Sequence, residues 1–263
     1  MLRAGPPLAA TPLLSAILLL GGCAADATDD EPMTFDGGTD ASSADGANGN
    51  DARTLPDTLT DGGPGPQSVP VRVQLQTALG GGLSGAEVHY RNQSRTSDGE
   101  GRATVRVLAG ERFTISANKS GFRDHRLVGR SGHQGFPYIT FVASKVTTSQ
   151  VFGGVGVSID SDEGILVVGV DTENLQPLTG ASVDIGASHD QAITLSTNGV
   201  DANARIDPGE QSFVSFPNVE PGQVTPTIDT PGGETCRLYP AGGSAPNIEV
   251  KAGAVTVAPF ICS

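Results

Sequence analysis

The chain has 263 residues, a net charge of −13 at pH 7, no tryptophan and three cysteines. Glycine (36 residues) and proline (18 residues) are abundant, whereas charged residues make up only 17%. This composition disfavours long helices, favours short strands joined by turns, and predicts an all-β fold. We expect neither a nucleic-acid partner nor a cofactor.

The first 22 residues have the pattern of a secretory signal peptide. A single cation, Arg3, precedes a short apolar run that ends at Leu20-Gly21-Gly22-Cys23, and this run is far shorter than the roughly 20 residues that span a bilayer. The Leu-Gly-Gly-Cys stretch resembles a bacterial lipobox. The resemblance implies that residues 1–22 are removed and that Cys23 is lipidated; an ordinary signal peptide with a chance cysteine is the alternative. Ala24, rather than Asp, follows the cysteine, which resembles outer-membrane sorting and implies a lipid-anchored protein of the cell envelope.

Residues 23–68 are predicted to be the lipidated cysteine followed by a disordered acidic linker. Ten acidic residues and one arginine lie between positions 24 and 68, with no apolar periodicity. Such a segment buries too little apolar surface to offset the entropy of ordering it. As a coil it would span about 35–40 Å, because the mean end-to-end distance grows with the square root of length.

The charge changes sign after this linker and again at the middle of the chain. Residues 69–148 hold eleven cations and five acids, a net charge of +6, whereas residues 149–263 hold three cations and fourteen acids, a net charge of −11. One interpretation is that the two halves attract one another weakly. The other is that the basic half meets a polyanion, such as an acidic envelope polysaccharide or lipid headgroups.

Residues 69–148 are predicted to form a first, basic β-sandwich. Residues 69–76 alternate apolar and polar side chains, which is the period of a half-buried strand. The stretch between Phe122 and Pro137 is less regular and is interpreted as a loop. Short strands at this spacing, without a helical period, indicate a small sandwich. The further predicted strands lie at 86–90, 103–107, 112–117 and 137–142.

Residues 149–162 are predicted to be a linker or an added edge strand, and residues 163–263 a second, acidic sandwich. The second half opens with an apolar run at 165–170. Its sequence Leu178-Thr179-Gly180-Ala181-Ser182-Val183 aligns with Leu83-Ser84-Gly85-Ala86-Glu87-Val88 of the first half. The two halves therefore share one supersecondary plan that repeats after about 95 residues.

These motifs resemble the carboxypeptidase regulatory-like, transthyretin-like β-sandwich domains. The resemblance rests on Leu-x-Gly-Ala-x-Val in both halves, on Lys119-Ser120-Gly121-Phe122 in the first, and on Phe216-Pro217-Asn218-Val219-Glu220-Pro221-Gly222 in the second. It implies tandem sandwich modules of a kind common on bacterial surface proteins. Because the motifs belong to turns and cores, they imply a fold and no particular activity.

The cysteines fit this location. The lipobox resemblance assigns Cys23 to the lipid, so Cys236 and Cys262 remain as an even pair in a translocated protein. We predict a disulfide between them. Two free thiols are the alternative.

The sequence contains no catalytic motif, and we assign no catalytic residue. Residues 80–85 match Gly-x-Gly-x-x-Gly, but a strand follows instead of a helix, so we interpret them as a turn. His125 and His133 lie among arginines, which disfavours a divalent cation, and we assign no metal ligand. The acidic stretches 160–163 and 201–207 match calcium loops only in part and are interpreted as acidic turns.

Arginines supply the candidate anion-binding residues, since guanidinium groups present planar donors that suit carboxylates. We predict a non-catalytic envelope lipoprotein whose paired sandwiches act in binding or spacing at the cell surface. Its partner would be an envelope protein or, through an Arg-rich face, an acidic glycan; an envelope enzyme without recognisable motifs is the second alternative. The arginines of this face are Arg91, Arg95, Arg123, Arg126 and Arg130.

Overall fold

The computed structural model describes residues 67–77, 80–197, 199–209, 211–243 and 247–263. The predicted signal peptide, Cys23 and the acidic linker up to residue 66 lie outside the described residues. Within the described part of the chain, 17 strands and one helix confirm the all-β class. No helix in these ranges is long and apolar enough to cross a membrane.

The first half begins with a strand whose alternating sequence explains its place in the fold. Val69, Val71, Val73 and Leu75 point into the core, and the intervening Arg72 is exposed. The strands of this half are β1 (Ser68–Thr77), β2 (Glu87–Tyr90), β3 (Gln93–Thr96), β4 (Arg102–Leu108), β5 (Arg112–Asn118), β6 (Asp124–Arg130) and β7 (Phe136–Val142).

The second half contains the helix and the remaining strands. These are α1 (Lys145–Gly154), β8 (Gly164–Thr172), β9 (Ser182–Asp184), β10 (Ile193–Ser196), β11 (Gly199–Asp201), β12 (Ser212–Val219), β13 (Gly222–Val224), β14 (Thr227–Asp229), β15 (Cys236–Leu238), β16 (Ile248–Val250) and β17 (Ala254–Cys262).

Two sheets face each other in the first half. One has the order β4-β1-β7, with β1 antiparallel to β4 and parallel to β7. The other runs β3-β2-β5-β6. Inward side chains of both sheets, among them Leu75, Val88, Ile115 and Leu127, form one hydrophobic core. Burial of this core drives the pairing of the two sheets.

The second half repeats this arrangement. Strand β8 lies between antiparallel β12 and parallel β17, as β1 lies between β4 and β7. The hydrogen bond from the Leu83 amide to the Leu75 carbonyl recurs 95 residues later, from the Leu178 amide to the Val170 carbonyl. The repeat in the sequence is therefore a repeat of strand order and of turn hydrogen bonds.

A shared sheet joins the two halves. Strand β6 of the first half pairs in parallel with β17 of the second, from Asp124 opposite Ala254 to Leu127 opposite Val257. One continuous sheet follows, with the order β11-β10-β12-β8-β17-β6-β5-β2-β3. The described residues from 67 to 263 belong to one compact unit. The described residues form two large cores, one in each half, and the shared sheet runs through both.

The stretch predicted as a linker or an edge strand begins inside a helix instead. Helix α1 starts after Ser144, whose hydroxyl accepts a hydrogen bond from the Thr147 amide. Of its residues only Thr148 and Phe152 are buried, so the sequence shows no apolar repeat by which a helix could be predicted. Phe152 anchors the helix in a small third core with Ile165 and other apolar residues.

Candidate binding surfaces

The arginine-rich stretch predicted as a loop is largely the central strand β6. Here Arg126 and Arg130 lie on one side of the strand, while His125 and Leu127 are buried on the other. Because β5 and β17 flank this strand, its arginines border the second half of the molecule. The irregular spacing of apolar residues arises because β6 packs against a core on each side: Leu127 joins one core and Val128 the other.

Arg123 and Arg126 contact the second half directly. The Arg126 guanidinium lies 2.5 Å from the Glu249 carboxylate, and its side chain is only 13% exposed. Arg123 donates a long hydrogen bond of 3.5 Å to the Gly253 carbonyl, and burial lowers the pKa of Arg123. The Nε atoms of both arginines are buried without a hydrogen-bond partner within the described residues. These two side chains connect the halves and offer little surface to a ligand.

The other three candidates have different surroundings. Arg91 pairs with Glu111 at 3.2 Å and lies over the Tyr90 ring. Arg95 donates to the carbonyl of its neighbour Ser94. The Arg130 guanidinium packs against Gly243, where a β-carbon would lie within 2.7 Å of Nη1. The structure thus places the five arginines in different surroundings, and anion binding by them stays a prediction.

His125 is a core residue. One ring nitrogen lies 3.2 Å from the Arg123 carbonyl and the other 3.0 Å from the Phe141 carbonyl. Burial lowers the pKa of the imidazole. The two carbonyls and the Asp124 carboxylate raise this pKa and so offset part of the effect of burial. Among the described residues no group of three or more His, Cys, Asp or Glu side chains could hold a metal ion.

The acidic stretches considered for calcium are occupied by internal hydrogen bonds. The Asp160 carboxylate accepts from the Asp162 amide, and the Asn203 side-chain oxygen accepts from the Arg205 amide and the Thr194 hydroxyl. Asp207 has a raised pKa because of desolvation and, next, a hydrogen bond with Asp201. These contacts are those of acidic turns.

The predicted disulfide is present. Cys236 and Cys262 are bonded and lie directly opposite each other where β15 pairs with β17. Three residues after Cys236, the Tyr239 hydroxyl donates to the Pro137 carbonyl of the first half. The bridge therefore holds a segment that contacts both halves.

One carboxyl group of the second half is partly buried and desolvated, although it lies at the edge of the core. Burial raises the pKa of Asp171 to about 6, and its charge contributes, after desolvation, to a raised pKa of Tyr239. The Tyr239 ring packs edge-on against Phe136 and Tyr138, with centroid distances of 5.9 and 6.2 Å. Asp171 thus borders an aromatic cluster at which the halves meet.

A cationic face that the sequence reasoning missed lies on the outer side of the β4-β1-β7 sheet. Its arginines are Arg72 on β1 and Arg102 and Arg106 on β4, all exposed. Each occupies a polar position in a strand with alternating apolar and polar residues, and this alternation in the sequence indicates that the side chain is exposed. Their proximity depends on the strand register, in which Arg72 is opposite Thr104, and the sequence does not give that register.

An open depression of about 470 Å³ lies beside β13 and β16. Gln223, Glu249 and Lys251 supply its polar groups. Glu249 is already engaged by Arg126 and, at 3.8 Å, by Lys251. The depression is therefore a shallow surface next to the junction of the halves.

No family model and no curated protein matches the chain. Among solved structures, the Bacillus anthracis TIE protein is similar at 12% identity and a TM-score of 0.23, over 73% of this chain and 34% of that one. A minor pilin of Streptococcus agalactiae is similar at 10% identity and a TM-score of 0.25, over 73% of this chain and 95% of that one. A family 26 carbohydrate-binding module from Eubacterium rectale, solved with maltoheptaose, is similar at 8% identity and a TM-score of 0.26, over 75% and 96%. The chain spans about a third of the length of the Bacillus anthracis protein. Likenesses this weak assign neither a family nor a ligand.

Proposed function

We propose that this protein is a non-catalytic, lipid-anchored protein of the cell envelope whose fused sandwiches form a rigid binding or spacing unit. The observation that supports this most directly is the pairing of β6 with β17, which joins the halves by hydrogen-bonded sheet. A unit joined in this way holds the surfaces of its two halves at a fixed separation. Its partner would be another envelope protein or an acidic glycan.

The anchor in this proposal is Cys23, within the lipobox-like residues 20–23. The acidic segment that follows would hold the sandwiches away from the membrane. Anchoring is tested by expressing the full chain in a diderm bacterium with labelled palmitate and separating the membranes by density. We expect label in the outer-membrane fraction, and its loss in Cys23→Ala.

A matched control is Cys236→Ala/Cys262→Ala, which removes cysteines without touching the lipobox-like stretch and should keep the label. Label that persists in Cys23→Ala, or a wild-type protein that takes up none, would contradict the anchor.

Rigidity is tested separately by the distance between spin labels on the two halves. Thr104→Cys and Asp229→Cys place labels at exposed positions on β4 and β14, in a Cys23→Ala background. A narrow distance distribution is expected, because one continuous sheet joins the two halves that carry the labels, although neither label lies on that sheet itself. A broad distribution would show that the halves move independently and would overturn the spacing role.

A further inference from the structure

The cationic face defined by Arg72, Arg102 and Arg106 has a regular geometry. Arg102 is opposite Gln74 and Arg106 is opposite Pro70, so both are diagonal neighbours of Arg72 on the adjacent strand. With a rise of about 3.4 Å per residue and strands about 4.8 Å apart, successive arginines are about 7 Å apart along the strand direction. The result is a staggered row of positive charge parallel to the strands.

This row is not neutralised on its own face. None of the outward positions on the described strands β1, β4 and β7 holds an acidic residue. The Arg72 side chain has no hydrogen-bond or ion-pair partner within the described ranges. Arg102 pairs with Glu100 of the preceding turn, but both side chains are more than half exposed, at 62% and 65%. Such an exposed pair is weak and exchanges readily for another anion.

Arg106 is held in place by the chain itself. Its guanidinium donates to the Ser68 hydroxyl and to the Ser68 carbonyl. These contacts are made by Nε and Nη2, so Nη1 stays available to a ligand. A guanidinium held in this way loses less side-chain entropy on binding than a free one.

An apolar strip borders the row on the other side of β1. Pro137 is opposite Arg72 and Ile139 is opposite Gln74 in the parallel pair with β7. Pro137 and Ile139 are exposed, Ile139 by 49%, whereas Phe136, Tyr138 and Val142 of the same strand are buried. The face therefore offers a line of charge and a parallel line of apolar surface.

We propose that this face binds a linear acidic polysaccharide, with carboxylates on Arg72, Arg102 and Arg106 and sugar rings over Pro137 and Ile139. A uronic acid polymer matches both lines, because each residue combines a carboxylate with the apolar C–H face of a ring. Guanidinium groups suit carboxylates by bidentate hydrogen bonding. The inference rests on the proposed surface location, and it replaces the five arginines predicted from the sequence by a different set.

The test is titration calorimetry of the full chain, carrying Cys23→Ala, with polygalacturonate and with neutral dextran. We expect polygalacturonate to bind, dextran not to bind, and the affinity to fall as salt rises. The Arg72→Gln/Arg102→Gln variant should bind about tenfold more weakly, with a salt slope smaller by about two. These side chains are exposed, so an unchanged melting temperature will show that the fold is intact.

The control variant is Arg91→Gln/Arg95→Gln, which removes the same charge from the same half and should change the affinity less than about twofold. An equal loss of affinity in the control variant would show that only the net charge of the protein matters, and it would overturn the proposed site. Ile139→Ser should weaken polygalacturonate binding and leave polyaspartate binding unchanged.

Two further results would overturn the choice of ligand. One is polyaspartate binding as tightly as polygalacturonate, because the sugar rings would then contribute nothing. The other is binding to phosphatidylglycerol vesicles without binding to polygalacturonate, which would assign the face to a lipid surface. A failure to bind polygalacturonate would not affect palmitate labelling of Cys23, so the proposed ligand and the proposed anchor are tested independently.

Discussion

The Arg126 guanidinium and the Glu249 carboxylate meet across the junction of the two halves, 2.5 Å apart. Arg126 lies on β6 of the first half and is 13% exposed, while Glu249 lies on β16 of the second and is 47% exposed. The contact joins a half of net positive charge to one of net negative charge. Part of the charge difference between the two halves is therefore accounted for by an ion pair that joins them.

Removing Glu249 should destabilise the fold, because Arg126 would then be nearly buried without a counter-charge. We expect Glu249→Gln to lower the free energy of unfolding by about 1–3 kcal/mol. A double-mutant cycle with Arg126→Gln, followed by urea denaturation, should give a coupling energy of about 1 kcal/mol. The cycle for the exposed pair Glu100–Arg102 is the control and should stay below about 0.5 kcal/mol. Equal coupling in the two cycles would mean that the junction pair is no more than a surface contact.

Asp171 should make the stability depend on pH. Its pKa is raised by burial from 3.8 to about 6 in the folded protein, so the folded state binds more protons than the unfolded state between these values. The stability contributed by the protonated form is complete below pH 4 and is lost as the pH rises through about 6. At pH 7 the charged carboxylate therefore lowers the stability of the folded state.

The matching experiment is urea denaturation of Asp171→Asn between pH 4 and pH 7. We expect a gain of about 1–3 kcal/mol at pH 7 and a flatter pH profile. Asp229→Asn, at an exposed position, is the control. It should change neither the stability at pH 7 nor the pH profile. A stability at pH 7 that is unchanged by Asp171→Asn would show that this carboxyl is solvated.

Asn218 should be one of the most sensitive positions in the second half. It has a positive φ of 52°, and its amide donates to the Ser158 carbonyl at 2.7 Å and to the Asp190 carboxylate at 2.6 Å. Its side-chain oxygen accepts from the Asp160 amide at 2.9 Å. The residue thus fastens the segment after α1 to β12.

Asn218→Ala is expected to lower the free energy of unfolding by about 2–4 kcal/mol, because it removes three hydrogen bonds and adds strain at positive φ. Asn218→Gly removes the same bonds without that strain and should be milder by about 1 kcal/mol. Thermal or urea unfolding of both variants separates the two contributions. Equal losses would indicate that the backbone conformation costs nothing here.

Much of the fold follows from local sequence. Alternation at residues 69–76 predicts β1 because one side of that strand faces a core and the other faces water. The glycine-rich stretch 80–85 is a turn, as predicted, and Gly80, Gly81 and Gly85 adopt the positive φ angles that favour glycine. The aligned Leu-x-Gly-Ala-x-Val motifs predict equivalent turns because the same backbone hydrogen bonds recur in both halves.

The remainder depends on contacts between distant residues. Strand β6 carries Val128 into the core of the second half. Its apolar residues therefore have no clear period of two, and the sequence alone favours a loop there. The pairing of Asp124 with Ala254 has no local signal. The row of Arg72, Arg102 and Arg106 likewise exists only once the register of β1 with β4 is known.

The pairing of β6 with β17 also has a consequence for how the chain folds. Asp124 and Ala254 are 130 positions apart, so the edge of the first half stays open during synthesis until β17 is available. Closing so long a loop slows folding, and an open edge invites pairing with another chain. An export pathway that keeps the chain unfolded until it is complete would avoid this hazard, because β6 and β8 could then both pair with β17 in one step.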